Sequence, residues 1–329
     1  MSVSRSSRKS HIAKRIRVEP SFDTGDCGYR AIIIALLYLS LRAKSDEQNP
    51  LVRSDTLKKI LRSGPDDLYK KLLDLNLIKA DAGNAEILRA MISAASDWIF
   101  SLTEINNYLT PRLRKLAVES SWLHDHVKTI VVNGLWEFYN PAYANTKSIR
   151  KLEQDIRDKT LELLEKQHVD PLSVEFDQHY EEMRAHAKIM VCSALKESAL
   201  EKCIADVINE LYARSGIWLD MNYLKSLTMT LLGSPDLLFD DKGININGNG
   251  PQTSHWYLDL PEDEYSAQLV SAFRSQIPVI ESMSTKHAFM DVIEQPSLNT
   301  VFSIWNRREE GESAQGIDIH QRRRQDPFM

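Results

Sequence analysis

From Asp66 to about Tyr212 the apolar residues return every three or four positions, and no stretch alternates as a strand does. Asp66–Leu77 carries Leu68, Leu72, Leu73 and Leu75. Asn84–Phe100 carries Ile87, Leu88, Met91, Ile92, Ala95 and Ile99, and Ser148–Lys166 carries Leu152, Ile156, Leu161 and Leu164. Val174–Leu195 and Leu200–Tyr212 continue in the same way. The spacing predicts a long helical segment without a repeat period. Trp122, Trp136, Phe138, Tyr139 and Tyr143 fall between these helices as an aromatic-rich loop region around Asn140-Pro141. On either side of this segment the pattern changes, so the helices read as an insertion into something else.

Before it, Ile16 and Val18 alternate with charged residues and predict a short strand stopped by Pro20. A Gly-containing loop and an apolar helix follow, to about Ala43. Lys44–Pro50 is polar and reads as a loop. Leu51 to Leu61 reads as a helix ended by Gly64-Pro65. After the helical segment, Met221–Leu232 is a helix closed by Gly233 and Pro235. Leu237–Phe239, the run around Ile244 and Ile246, and His255–Leu260 are strand candidates. Tyr265–Phe273 and Lys286–Ile293 are further helix candidates. The two ends, 1–12 and 306–329, are charged and poor in apolar residues and are expected to be disordered.

Composition sets few limits. Of 329 residues, 43% are hydrophobic and 26% charged, as in ordinary globular proteins. A net charge of −5 argues for neither nucleic acid nor an acidic membrane as a general partner. The longest uncharged apolar run, Ala31 to Leu41, is too short to span a bilayer, so no stable membrane insertion is expected. Cys27, Cys192 and Cys203 are an odd number without a CxxC pair, which fits a reducing compartment. The basic N-terminus lacks the apolar region of a secretory signal.

One stretch carries chemistry: Asp23-Thr24-Gly25-Asp26-Cys27-Gly28-Tyr29-Arg30-Ala31-Ile32. Turn residues precede Cys27 and a helix-forming run follows it. Cys27 is therefore expected at a helix N-terminus, where free N–H groups and the helix dipole lower a thiol pKa and can hold an oxyanion. The other reading of the same pattern is a buried core cysteine. A nucleophilic thiol needs a base. Of nine histidines, His168, His179 and His186 sit in charged helical segments, and His11 and His320 in the tails. His255 instead follows a Gly-rich loop and opens an aromatic strand, His255-Trp256-Tyr257, which would hold it rigidly. His124-Asp125-His126 lacks a Cys or a third His at ligand spacing, so no metal is expected. No Walker A or GxGxxG loop is present, and no cofactor is expected. Arg112–Lys115 reads as a solvated helix face.

The Cys loop and the His strand together resemble the OTU (ovarian tumour) family of cysteine deubiquitinases. That family's pattern is Asp-Gly-Asp/Asn-Cys, then a small or apolar residue, an aromatic and often Arg-Ala/Ser; this chain has Thr24-Gly25-Asp26-Cys27-Gly28-Tyr29-Arg30-Ala31. Its His motif is a His followed by an aromatic at a strand start, as in His255-Trp256. Leu51-Val52-Arg53 resembles the start of the family's second helix. Gly216-Ile217-Trp218, with the helix bearing Leu224 and Leu227, resembles its Trp-containing segment. The four blocks stand in the family's order and cover about 14–62 and 205–261. Thr24 stands where the family has an acid, and Tyr257 where it has a polar residue two after the His.

The resemblance implies an α+β fold: an OTU-like, papain-like core with a small central sheet flanked by helices, over 13–62 and 205–261. It implies a helical insertion over 63–204 that contacts ubiquitin, a C-terminal helical extension over 262–305, and tails at 1–12 and 306–329. It implies a thiol protease with Cys27 as nucleophile, taken as thiolate, and His255 as base, cleaving ubiquitin chains or conjugates. Asp23 is the first choice for the third catalytic residue, with Asp26 and Glu19 as alternatives and Asp259 too far along the strand. Gly25, Asp26, Gly28 and Trp256 would line the substrate site. A catalytically inactive ubiquitin-binding module, and a papain-like peptidase or transferase with another substrate, are the competing readings. The aromatics of Trp136–Tyr143 serve either as core or as anchors for ubiquitin. The long insertion is similar to those of OTU-type effectors from intracellular bacteria such as Legionella. The run Glu309-Glu310-Gly311-Glu312-Ser313 resembles the acidic C-terminal signal of type IV secreted effectors, which would place the protein in a host cytoplasm, and otherwise in its own.

Overall fold

The structure, a computed structural model, describes residues 14–19, 26–43, 49–63, 68–139, 141–170, 172–173, 176–214, 219–241, 243–248, 255–273, 276 and 279–281. In chain order the elements are β1 (Arg15–Val18), α1 (Cys27–Arg42), α2 (Pro50–Arg53), α3 (Asp55–Arg62), α4 (Leu68–Asp74), α5 (Asn84–Ser96), α6 (Leu102–Val118), α7 (Ser121–Val132) and α8 (Trp136–Tyr139). They continue with α9 (Lys147–Lys166), α10 (Phe176–Ser193), α11 (Glu197–Val207), α12 (Met221–Leu232), β2 (Asn245–Gly248), β3 (Trp256–Pro261), α13 (Glu264–Phe273) and β4 (Val279–Glu281). The described chain is mostly helical with one small antiparallel sheet, an α+β arrangement. The described residues up to 281 belong to one compact unit.

The core is built on α1. Ala31 through Tyr38 are buried without interruption, so this helix is apolar on every side and must be surrounded. It packs against α5, α6, α12 and α13, and against β3 of the sheet. Helices from within and from beyond the 63–204 segment thus share one core around α1.

The sheet runs β2-β3-β1-β4, with every pair antiparallel. Alternation along β3 sorts its two faces. Trp256, Leu258 and Leu260 are buried, together with Val18 and Ile246 from the neighbouring strands. Tyr257 and Asp259 lie on the opposite face beside Arg17 and Asn247. There Arg17 donates to Asp259 at 3.1 Å and lies 3.9 Å from the centre of the Tyr257 ring, and Asn247 Nδ2 donates to Asp259 at 3.0 Å.

Most helix boundaries follow local chemistry. The segment 51–61, expected as one helix, is split at Ser54. Its hydroxyl accepts the Leu57 N–H at 2.9 Å and so caps a new start. Asn84 Nδ2 fixes the corner from outside, donating to the carbonyls of Leu51 and Ser54 at 2.9 Å each. Ser101 and Glu104 form a capping box on α6. Asp220 caps α12 through the Tyr223 N–H, and Gly233, at φ +75°, closes it. The aromatic loop expected around Asn140-Pro141 is the short helix α8 followed by a 3₁₀ turn over Pro141–Asn145. Trp136 and Tyr143 are buried and belong to the core, whereas Phe138 is exposed. Leu237 ends a 3₁₀ turn, and Phe239 makes only an isolated bridge to Asn245, so no strand forms at 237–239. The helix expected over Lys286–Ile293, the Trp218 segment and both tails lie outside the described residues.

Candidate active site around Cys27

Cys27 is the first residue of α1, as the turn-then-helix pattern predicts. Gly28, next to it, brings the start of the helix against α12 and β3. A Cβ at Gly28 would stand 3.1 Å from Leu224 Cδ2, 3.2 Å from Trp256 Cδ1 and 3.3 Å from Leu219 Cδ1. Trp256 is 1% exposed, and its Nε1 donates to the Leu219 carbonyl at 2.9 Å. These contacts fix the beginning of β3 beside the beginning of α1. The backbone N–H groups of Trp256, Gly28 and Cys27 itself stand close enough to the Cys27 sulfur to pull its pKa down. His255 directly precedes Trp256. Its ring is half-buried, and its Nε2 is shut away from solvent.

Two sequence-based expectations change here. The thiol was expected to be acidified by the helix terminus. Burial instead pushes it above the ordinary thiol value, and outweighs the three N–H groups and the Arg30 charge, which pull it down. Gly28 and Trp256 were expected to line the path of the substrate. Both are turned to the interior, where they pack α1 against β3 and α12 and make no open surface.

Asp26 precedes Cys27 and is 8% exposed. It occupies the N-cap position of α1, yet its side chain caps nothing. Its Oδ1 accepts from Arg114 Nη2 at 2.7 Å, with both side chains 12% exposed. Arg114, from α6, also lies over the Tyr29 ring at 5.6 Å. The Tyr29 and Tyr223 hydroxyls stand 2.5 Å apart. Tyr223 stacks on Tyr212, whose hydroxyl is 2.6 Å from that of Tyr143. A line of buried rings thus runs from the Cys27 helix into the 63–204 segment. Arg112–Lys115, read as a solvated face, is corrected in two of its members. Arg114 is buried in an ion pair, and Arg112 donates to the carbonyls of Ser63 and Tyr108. No local pattern marks Arg114, because its partner is 88 positions away.

Of the residues weighed as third catalytic member, Asp23 lies outside the described residues, as does Gly25. Glu19 follows β1, close enough to Arg17 to act on its charge. Asp259 is held by Arg17 and Asn247 on the far face of the sheet. His124 and His126 face different carboxylates, Glu201 at 2.7 Å and Asp220 at 3.2 Å. Among the described residues no His, Cys, Asp and Glu group is arranged to hold a metal ion. No described helix is long and apolar enough to cross a membrane. Comparison of the chain with known protein families, with curated proteins and with solved structures gave no match to any of them.

Proposed function

We propose that this chain is a thiol isopeptidase with an OTU-like core, cleaving ubiquitin from chains or conjugates. The observation that carries the reading is the meeting of two distant segments: Trp256, beside His255, packs against Gly28, beside Cys27, at the first turn of α1. The OTU resemblance rests on the same two segments.

In this mechanism the Cys27 thiol passes its proton to the His255 imidazole as its sulfur attacks the carbonyl carbon of the ubiquitin C-terminal glycine. The oxyanion forms at the first turn of α1, where the N–H of Cys27 is available; a donor of this kind contributes about 3–4 kcal/mol to acyl transfer. Collapse of the tetrahedral intermediate breaks the C–N bond, and the lysine amine leaves with the proton from His255. Water, deprotonated by His255, then attacks the thioester and returns the thiol. Asp23 is the proposed orienting residue for His255. The resemblance to bacterial effectors extends the proposal to a protein delivered into a host cytoplasm by a type IV system.

A ubiquitin probe with an electrophilic C-terminus tests the reading. Labelling of the wild type, lost in Cys27→Ala and His255→Ala, is expected. Binding of ubiquitin without labelling would favour an inactive module. Absence of both labelling and binding would remove ubiquitin from the account.

A further inference from the structure

An aspartate at a helix N-cap ordinarily turns its carboxylate back onto the N–H groups of the first turn. Asp26 stands at that position, with φ −87° and ψ 10°, and does not do so. Its carboxylate points to Arg114 at 2.7 Å, in a pair that water barely reaches. The guanidinium is itself located by the face of Tyr29, which the Tyr223 hydroxyl ties to α12. The first-turn N–H groups that the carboxylate would otherwise occupy include that of Gly28, which lies close enough to the Cys27 sulfur to pull its pKa down.

We infer that Arg114 is a positioning residue that holds the Asp26 carboxylate off the N-terminus of α1, leaving the first-turn N–H groups to the Cys27 sulfur and to the oxyanion formed there. The inference rests on the reading of Cys27 as nucleophile. Without the guanidinium, the Asp26 backbone, now at ψ 10°, turns to the extended conformation of a capping residue and the carboxylate moves onto the first turn. It then occupies the donors and sets a negative charge against the forming thiolate. If Asp26 is removed as well, nothing competes for those donors.

The reactivity of Cys27 toward iodoacetamide tests this in the full chain, read on the Cys27 peptide by mass spectrometry as a function of pH, with thermal unfolding in parallel. Arg114→Met is expected to slow alkylation at neutral pH about tenfold and to move its midpoint up by about one pH unit, the effect of an added like charge nearby. Asp26→Ala combined with Arg114→Met is expected to return the rate to within about threefold of wild type, where two merely structural losses would add. Arg114→Lys, which keeps the charge, is expected to stay near wild type. Unchanged alkylation in Arg114→Met, or a double variant as slow as that single one, overturns the inference. Should Arg114→Met fail to fold, the double variant is compared with Asp26→Ala: equal rates support the inference, and a double about tenfold slower overturns it. Alkylation needs no ubiquitin, so a negative ubiquitin-probe experiment leaves this result standing on its own.

Discussion

Trp256→Phe separates a buried strut from a substrate-contacting ring. The substitution keeps an aromatic side chain on β3 and removes the indole N–H that donates to the Leu219 carbonyl at 2.9 Å. Leu219 is itself buried, so its carbonyl loses a partner that water cannot readily replace. An unsatisfied buried acceptor costs about 1–3 kcal/mol. The smaller ring adds a cavity worth about 1 kcal/mol between Gly28, Leu219 and Leu224. Together the loss is about 2–4 kcal/mol, which for a unit of this size lowers the melting temperature by about 3–7 °C. Urea unfolding of wild type and variant, followed by far-UV circular dichroism, measures it directly. A variant within about 0.5 kcal/mol of wild type, with labelling by the ubiquitin probe nonetheless reduced, would refute the reasoning and return the indole to the substrate path.

Two pH experiments follow from the cysteines. Burial holds the Cys27 thiol above its ordinary value, so its alkylation midpoint in the native protein is expected above about 8.5, and a midpoint below that would show that the helix terminus prevails over burial. Cys192 and Cys203 are pushed by burial to about 11 and about 12. The unfolded chain therefore releases these protons first as pH rises. Their contribution to stability is whole below the ordinary thiol value of about 8.5 and falls away toward about 11 and 12. Urea midpoints measured against pH should show this alkaline decline, and replacing both residues with Ala should flatten it; an equal decline in the double variant would refute the assignment.

Many of the helices were legible because amphipathic spacing is local, whereas α6 and α7 were not read, and Trp122, placed among the loop aromatics, lies in α7. Gly233 announces the end of α12 in a few residues. Where the reading slipped, a distant group decided. Ser54 splits a helix that its apolar pattern would continue, helped by Asn84 thirty positions on. Trp136 and Tyr143 sit in an aromatic-rich stretch that composition assigns equally to core or surface, and packing buried both.

At the site the division is the same. The sequence by itself determined that Cys27 would open a helix, since turn residues and then an apolar run are enough, and that α1 would be central, since a helix apolar on all sides has to be surrounded. It also determined that His255 would stand at the head of a strand, whereas the inward turn of the Trp256 indole was decided by packing. Only the tertiary structure decided what the thiol feels. Its pKa depends on how completely α6, α12 and β3 close over the start of α1, a sum over segments far apart in the chain. Only the tertiary structure brought Arg114 to Asp26. An ion pair spanning 88 positions leaves no local pattern, because each partner alone has the composition of an ordinary solvated charge.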